Sequence, residues 1–350
     1  MFIAVRDLRF ARGRFALLGT VIALMTLMVV LLTGLTAGLG AASVSAVAAL
    51  PVDHLSFQQP TDGQQVSFAT STLPADSAAT VAAQPGVTAA WPLGVSTTRL
   101  QADGGATTVT LIGGAPELYP AVRQGRAPSG AEVALTADLA DAQSVSVGDL
   151  VAVAGQRVTV AAVVATTSFN HLPVVYAPIS TWQDLARTDS ITAVASTGGD
   201  AAGAAGVTTV SRDEAFTAVG GYASEQGSLN LMRGLLLAVS ALVVGAFFAV
   251  WTMQRGTDLA VVRALGGSRA YLLRDALAQA GIVLLVGAAV GAGAAAGLGA
   301  VTARVVPFVL DATTIAVPLA AMVAVGALGA AFSVRRVSTV DPLTALGAAR

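Results

Sequence analysis

Four stretches of the chain are apolar at almost every position, near Phe15–Leu39, Leu229–Met253, Ala276–Val301 and Thr313–Val334. Each is long enough to cross roughly 30 Å of hydrocarbon as a helix. Between the first and second, apolar and polar positions alternate instead. TTVTLIG (107–113), DLVAVAG (149–155) and RVTVAAVV (157–164) have the period of two that predicts strands, separated by GG, PSG and GD turns. TADLADAQ (136–143) and STWQDLAR (180–187) predict short helices capped by Thr136 and Ser180. The Ala/Gly/Thr tract at 192–209 reads as a loose loop. SRDEAFTAVGGYASEQG (211–227) returns the chain to the apolar phase, with a helix break expected at Gly220 and Gly221. The pattern predicts an α-helical membrane protein with four transmembrane helices and an α+β extracellular domain inserted between the first and second.

Composition supports a membrane protein: 55% of the 350 residues are hydrophobic, 11% are charged, and mean hydropathy is +0.74. The first apolar run is longer than the about 7–15 residues of a signal-peptide core, so it reads as an anchor despite the small residues of ASVSAVAAL after Gly40. There is no cysteine, which excludes disulfides, thiolate metal sites and cysteine nucleophiles in this chain. There is no lysine either, all 19 basic residues being arginine, so the chain carries no phosphate-binding loop of the G-x-x-x-x-G-K-[ST] kind and no Schiff-base lysine.

Arginine placement orients the chain. Arg6, Arg9, Arg12 and Arg14 precede the first span, Arg255, Arg263, Arg269 and Arg274 fill the second-to-third connection, and Arg335, Arg336 and Arg350 follow the fourth span. Segment 41–228 has six arginines against fifteen carboxylates. The positive-inside rule puts both termini in the cytoplasm and that segment outside the cell membrane. The expected order is an amphipathic elbow (1–14), span 1 (15–40), the outside domain (41–228), span 2 (229–253), a cytoplasmic coupling helix (254–275), span 3 (276–301), a short outer loop (302–312), span 4 (313–334) and a cytoplasmic tail (335–350).

Catalytic constellations are scarce. His54 and His171 stand far apart, with no H-E-x-x-H or G-x-S-x-G around them. SFNHLPVVY (168–176) sets Phe169, Asn170, His171 and Tyr176 beside a strand, as a binding loop or as a loop packed on the domain core. In QRGTDLAVVRALGGSRAYLLRDALAQAG (254–281), Asp258 follows Thr257 at a helix start, Leu259, Val262 and Leu265 form an apolar stripe, Arg263 faces water, and Gly266 with Gly267 ends the helix.

That segment resembles the coupling region of FtsX/MacB-type ABC transporter permeases, usually R-x-x-E-I-x-x-x-R-A-L-G-A, with Asp258 here where glutamate is usual. RRVSTVDPLTALG (335–347) is similar to the family's closing D-P-x-x-A-L signature, AVRDLRFARGRFALL (4–18) to its elbow, and EVALTADLADAQSVSVGDLVAVAGQRVTVAAVV (132–164) to its ectodomain unit. The resemblance covers essentially the whole chain in order. It implies a non-catalytic permease subunit that forms a homodimer in the lipid bilayer and is driven by two copies of a separate ABC ATPase subunit. Asp258, Leu259, Val262, Arg263, Leu265 and Gly266 are then the ATPase-coupling residues. FALLGTVIALMTLMVVLLTGLTAGLG (15–40) and Y-x-x-E-x-G-S-L-x-x-M-R (222–233) are most similar to the HrtB heme-exporter branch, which implies heme as transported substrate. Other cargo-free or peptide-directed functions in the family are a mechanical relay to an extracellular partner such as a cell-wall hydrolase, and antimicrobial-peptide resistance or sensing.

On that resemblance, Tyr222, Glu225, Met232, Arg233, Phe169 and His171 are the heme-binding candidates. Phenolate, thioether and imidazole all serve as axial iron ligands. Tyr222 and Met232 are ten residues apart, about 15 Å on a straight helix, so one chain cannot use both on one iron. A parallel two-fold dimer pairs like depths. Tyr222 is the expected iron ligand, because a hard phenolate suits ferric iron, and Arg233 reaches a propionate only if heme sits deeper. A belt tyrosine and a snorkelling arginine account for the same residues without a ligand.

Overall fold

The computed structural model describes residues 12–61, 63–201, 203–254, 269–303 and 306–338. The elbow up to Ala11, the coupling residues Asp258, Leu259, Val262, Arg263, Leu265 and Gly266, and the D-P-x-x-A-L ending lie outside them. The chain forms two compact units, one of residues 39–226 and one of 1–38 with 227–350.

The helical unit contains four helices long and apolar enough to span a membrane: α1 (Arg12–Ala48), α5 (Tyr222–Gln254), α6 (Arg269–Thr302) and α7 (Ala312–Ser338). Small residues let their backbones approach. A Cβ at Gly287 would meet Gly19 O and Ile22 on α1, one at Gly326 would meet Leu284 on α6, and Gly245 faces Gly329 where α5 crosses α7. Phe15, Leu18 and Ile22 pack with Val244, Phe248, Leu284 and Ala288 in the shared core.

Residues 39–226 form a mixed α/β domain that includes the last turns of α1 and the first turn of α5. Its main sheet runs β13 (Val207–Ser211), β1 (His54–Gln58), β12 (Ala193–Gly198), β3 (Val87–Ala102), β4 (Gly105–Gly114), β10 (Leu172–Pro178), β6 (Glu132–Thr136), β8 (Gln156–Val164) and β5 (Val122–Gly125). Along that order only β4–β10 and β6–β8 are parallel. β7 (Leu150–Val153) pairs with β3 and β8, and β9 (Ser168–Phe169) forms a hairpin with β10. Strand geometry points successive side chains to opposite faces, and the sheet is covered on both. Val174 and Tyr176 of β10 enter one core with Phe57 and Ile112, while Val175 and Ala177 enter the other with Leu111 and Trp182. Trp182 lies on α4 (Ile179–Ala186), against Gly94 and Gly113, where any Cβ would collide with its ring.

The expected class, four apolar helices with a mixed α/β domain between the first and second, is the observed one. Three local expectations need correction. The 192–209 tract is not a loose loop: it contains β12, a central strand with Ala193, Val194 and Ala195 wholly buried, and most of β13. Alanine is a poor strand former in isolation, but burial on both faces of a central strand rewards small side chains. Thr136 precedes α3 (Ala137–Gln143) without making a side-chain cap. Ser180 lies inside α4, because β10 runs through Pro178 directly into that helix.

Candidate functional site

The β9–β10 hairpin turns on Asn170 and His171, with φ of +49° and +61°. Left-handed backbone in both residues of a two-residue loop matches the strand twist, and Asn and His tolerate it better than most side chains. The turn docks on the end of α1. The Asn170 N–H donates to Ser43 O (2.8 Å) and the His171 N–H to Ala42 O (3.0 Å). Ser45 Oγ accepts from the Ser168 N–H (2.8 Å) and donates to Ser168 O (3.2 Å).

Docking carries the imidazole to α5. His171 Nε2 lies 3.2 Å from Glu225 Oε2 and 3.0 Å from Ser43 Oγ, and Ser43 Oγ is 3.3 Å from the same carboxylate oxygen. Ser43 is almost wholly buried and its hydroxyl also donates to Leu39 O. Glu225 sits in the first turn of α5, where the helix dipole favours an acid. Serine, histidine and glutamate together invite a nucleophilic reading, which the geometry opposes. In such a triad the two ring nitrogens serve different partners; here Nε2 faces both oxygens.

The remaining candidates are dispersed. Phe169 is buried in the domain core, edge-to-face with Phe68, which is edge-to-face with Phe57, so its ring packs the domain. Tyr222 begins α5 after Gly221, whose φ of +82° makes the break expected between the 214–218 turn and the helix. Its part-buried ring packs edge-on against Phe216 (centroids 6.3 Å apart). Met232 is exposed, and Arg233 donates to Asn230 Oδ1 (2.8 Å). Sequence reasoning missed Ser43 and Ser45; their one signal was a serine pair within the otherwise apolar end of the first span.

The glycines near the end of the first span, and one on α6, have partners in the connection between α6 and α7. Cβ atoms at Gly34 and Gly299 would both overlap the Phe308 ring, one at Gly38 would strike Pro307 O, and the Val309 N–H donates to Gly34 O (3.1 Å).

Residues 15–209 match the MacB-like periplasmic core domain and residues 230–342 the FtsX-like permease C-terminal region. The chain is a MacB/FtsX-type ABC transporter permease. As such it is a non-catalytic, multi-pass membrane subunit whose family implies an ATPase partner. An uncharacterized ABC transporter permease of Mycobacterium tuberculosis is 29% identical over 355 residues, covering 99% of both chains. A permease of Staphylococcus epidermidis named HrtB, of a hemin transport system by its name, is 23% identical over 360 residues, again 99% of both. The crystal structure of the periplasmic region of MacB from Actinobacillus actinomycetemcomitans is 15% identical, covers 49% of this chain and 92% of that one, and superposes with a TM-score of 0.37.

Proposed function

We propose that this permease exports heme from the outer leaflet, with Tyr222 as the iron ligand at the head of α5. The observation that carries the reading is the state of that helix: it is the least covered by the rest of the chain among the four described spans. Leu231, Met232, Leu235, Val239 and Leu242 lie open along it. A second copy of α5 with a porphyrin between the two would cover this surface. Because this surface faces lipid and not water, such an interface would rest on van der Waals packing of the helices against the ring rather than on the expulsion of water. The full-length likeness to a permease named for hemin transport supports the same cargo.

In this reading both termini are cytoplasmic, the inserted domain is outside, and two ATPase subunits dock on the 254–275 helices of a homodimer and drive its closure. Cells expressing the permease with its ATPase should survive heme that kills cells lacking it. Leu259→Asp with Val262→Asp should abolish both the protection and ATPase co-purification while leaving membrane insertion intact. Survival unaffected by the permease would remove the heme reading, and unchanged co-purification the coupling role. A second reading, mechanical relay to an extracellular partner, draws support from the hydrogen bonds joining the domain's hairpin to both α1 and α5.

A further inference from the structure

The domain is joined to α5 in two ways of different stiffness. Along the backbone the connection is Gly220–Gly221, two residues without a Cβ, neither of which has neighbours where a Cβ would stand. Glycine's wide conformational range makes this a soft joint. Across space the first turn of α5 meets the domain through the Tyr222 ring, edge-on against Phe216, and through Glu225, which is hydrogen-bonded to His171 of the hairpin and Ser43 of α1.

The hairpin tip is itself fixed to α1 by backbone N–H groups at Asn170, His171 and Ser168, so its position follows α1 whatever side chain stands at 171. The His171 side chain adds α5 to that junction. An ionised Glu225 offers only lone pairs, so Nε2 must carry a proton to lie 3.2 Å from it; His171 acts as the donor, whether neutral or protonated. β10, which leaves the tip, sits inside the sheet between β4 and β6, so a displacement of the tip enters the domain near its middle.

We propose that His171 is a coupling residue of the permease: by donating to Glu225 it bypasses the Gly220–Gly221 joint and binds the first turn of α5, the end of α1 and the domain sheet into one body. Helix movement driven by the ATPase then reaches the domain from α1 and α5 together. The proposal rests on membership of the ABC permease family and not on the cargo, and its test contains no heme.

The chain has no cysteine, so Asp103→Cys and Ser224→Cys, both exposed and both in the 39–226 unit, can carry spin labels without background. Distances between them are measured by pulsed electron resonance on the full chain with its ATPase in lipid nanodiscs, with and without nucleotide. The parent and His171→Gln, which keeps an N–H donor, should give one narrow distribution. His171→Leu, of similar bulk without a donor and with the same left-handed backbone to satisfy, should broaden it in at least one nucleotide state at unchanged thermal stability. Glu225→Leu breaks the contact from α5 without touching that backbone and should broaden it too. A narrow distribution in Glu225→Leu or in a folded His171→Leu overturns the proposal, as does equal broadening in His171→Gln and His171→Leu.

Discussion

Glu132 receives two hydrogen bonds from the Arg126 guanidinium, at 2.6 and 2.7 Å, and one from the Ser129 N–H at 2.9 Å. These hold its carboxyl at about 2, well below the ordinary 4.5. The folded state thus binds this proton later than the unfolded state as pH falls. The contribution is fully present above about 4.5 and is lost as pH drops toward about 2. Glu132→Gln should lower the thermal midpoint of the full chain at pH 7, and the difference from the parent should shrink steadily between those limits. A difference that does not vary with pH would assign the effect to packing instead. Residue chemistry of this kind was only partly legible in the sequence. Glu225 and His171 were singled out as ligand candidates, yet their contact with each other and with Ser43 was not foreseen. Ser43 stands 128 positions from His171 and 182 from Glu225, and only the sheet topology closes those separations.

The elements were legible where burial alone dictates the pattern. Apolar runs gave the spans, and the period of two at 107–113 and 157–164 gave β4 and β8. The end of the first was not, because α1 continues past Leu39 to Ala48 through serine, alanine and glycine whose helical state is set by packing in the domain, whereas α5 begins at Tyr222, directly after the break expected at Gly220 and Gly221. The Ala-rich β12 hid for the same reason. The 15–40 run carries the family resemblance, and the structure gives its Gly34 and Gly38 a mechanical cause, since they clear space for Phe308 and Pro307. Gly34→Leu should expel the Phe308 ring and destabilise the helical unit by about 1–3 kcal/mol, as overpacking does. Thermal unfolding in detergent measures this, and Gly19→Leu, where a Cβ meets nothing within 4 Å, is the matched control. Equal midpoints for the two variants would remove the wedge role of Phe308.

At the scale of the whole molecule, orientation decides which side of the membrane the inserted domain serves. A cysteine at Ser129, an exposed turn residue, should react with an impermeant maleimide in intact cells, whereas one at Ser268, in the arginine-rich connection, should not. The reverse pattern would refute an outside domain. The proposed cargo is tested at Tyr222, the first residue of α5. The direct measurement is the Soret spectrum of the purified permease titrated with ferric heme, comparing the parent, Tyr222→Phe, which keeps the ring and loses the ligand oxygen, and Met232→Leu. The account predicts saturable heme binding by the parent and by Met232→Leu with the same spectrum, and a shifted spectrum with weaker binding for Tyr222→Phe. A Tyr222→Phe spectrum and affinity equal to the parent's, or a parent that retains no heme, would contradict it.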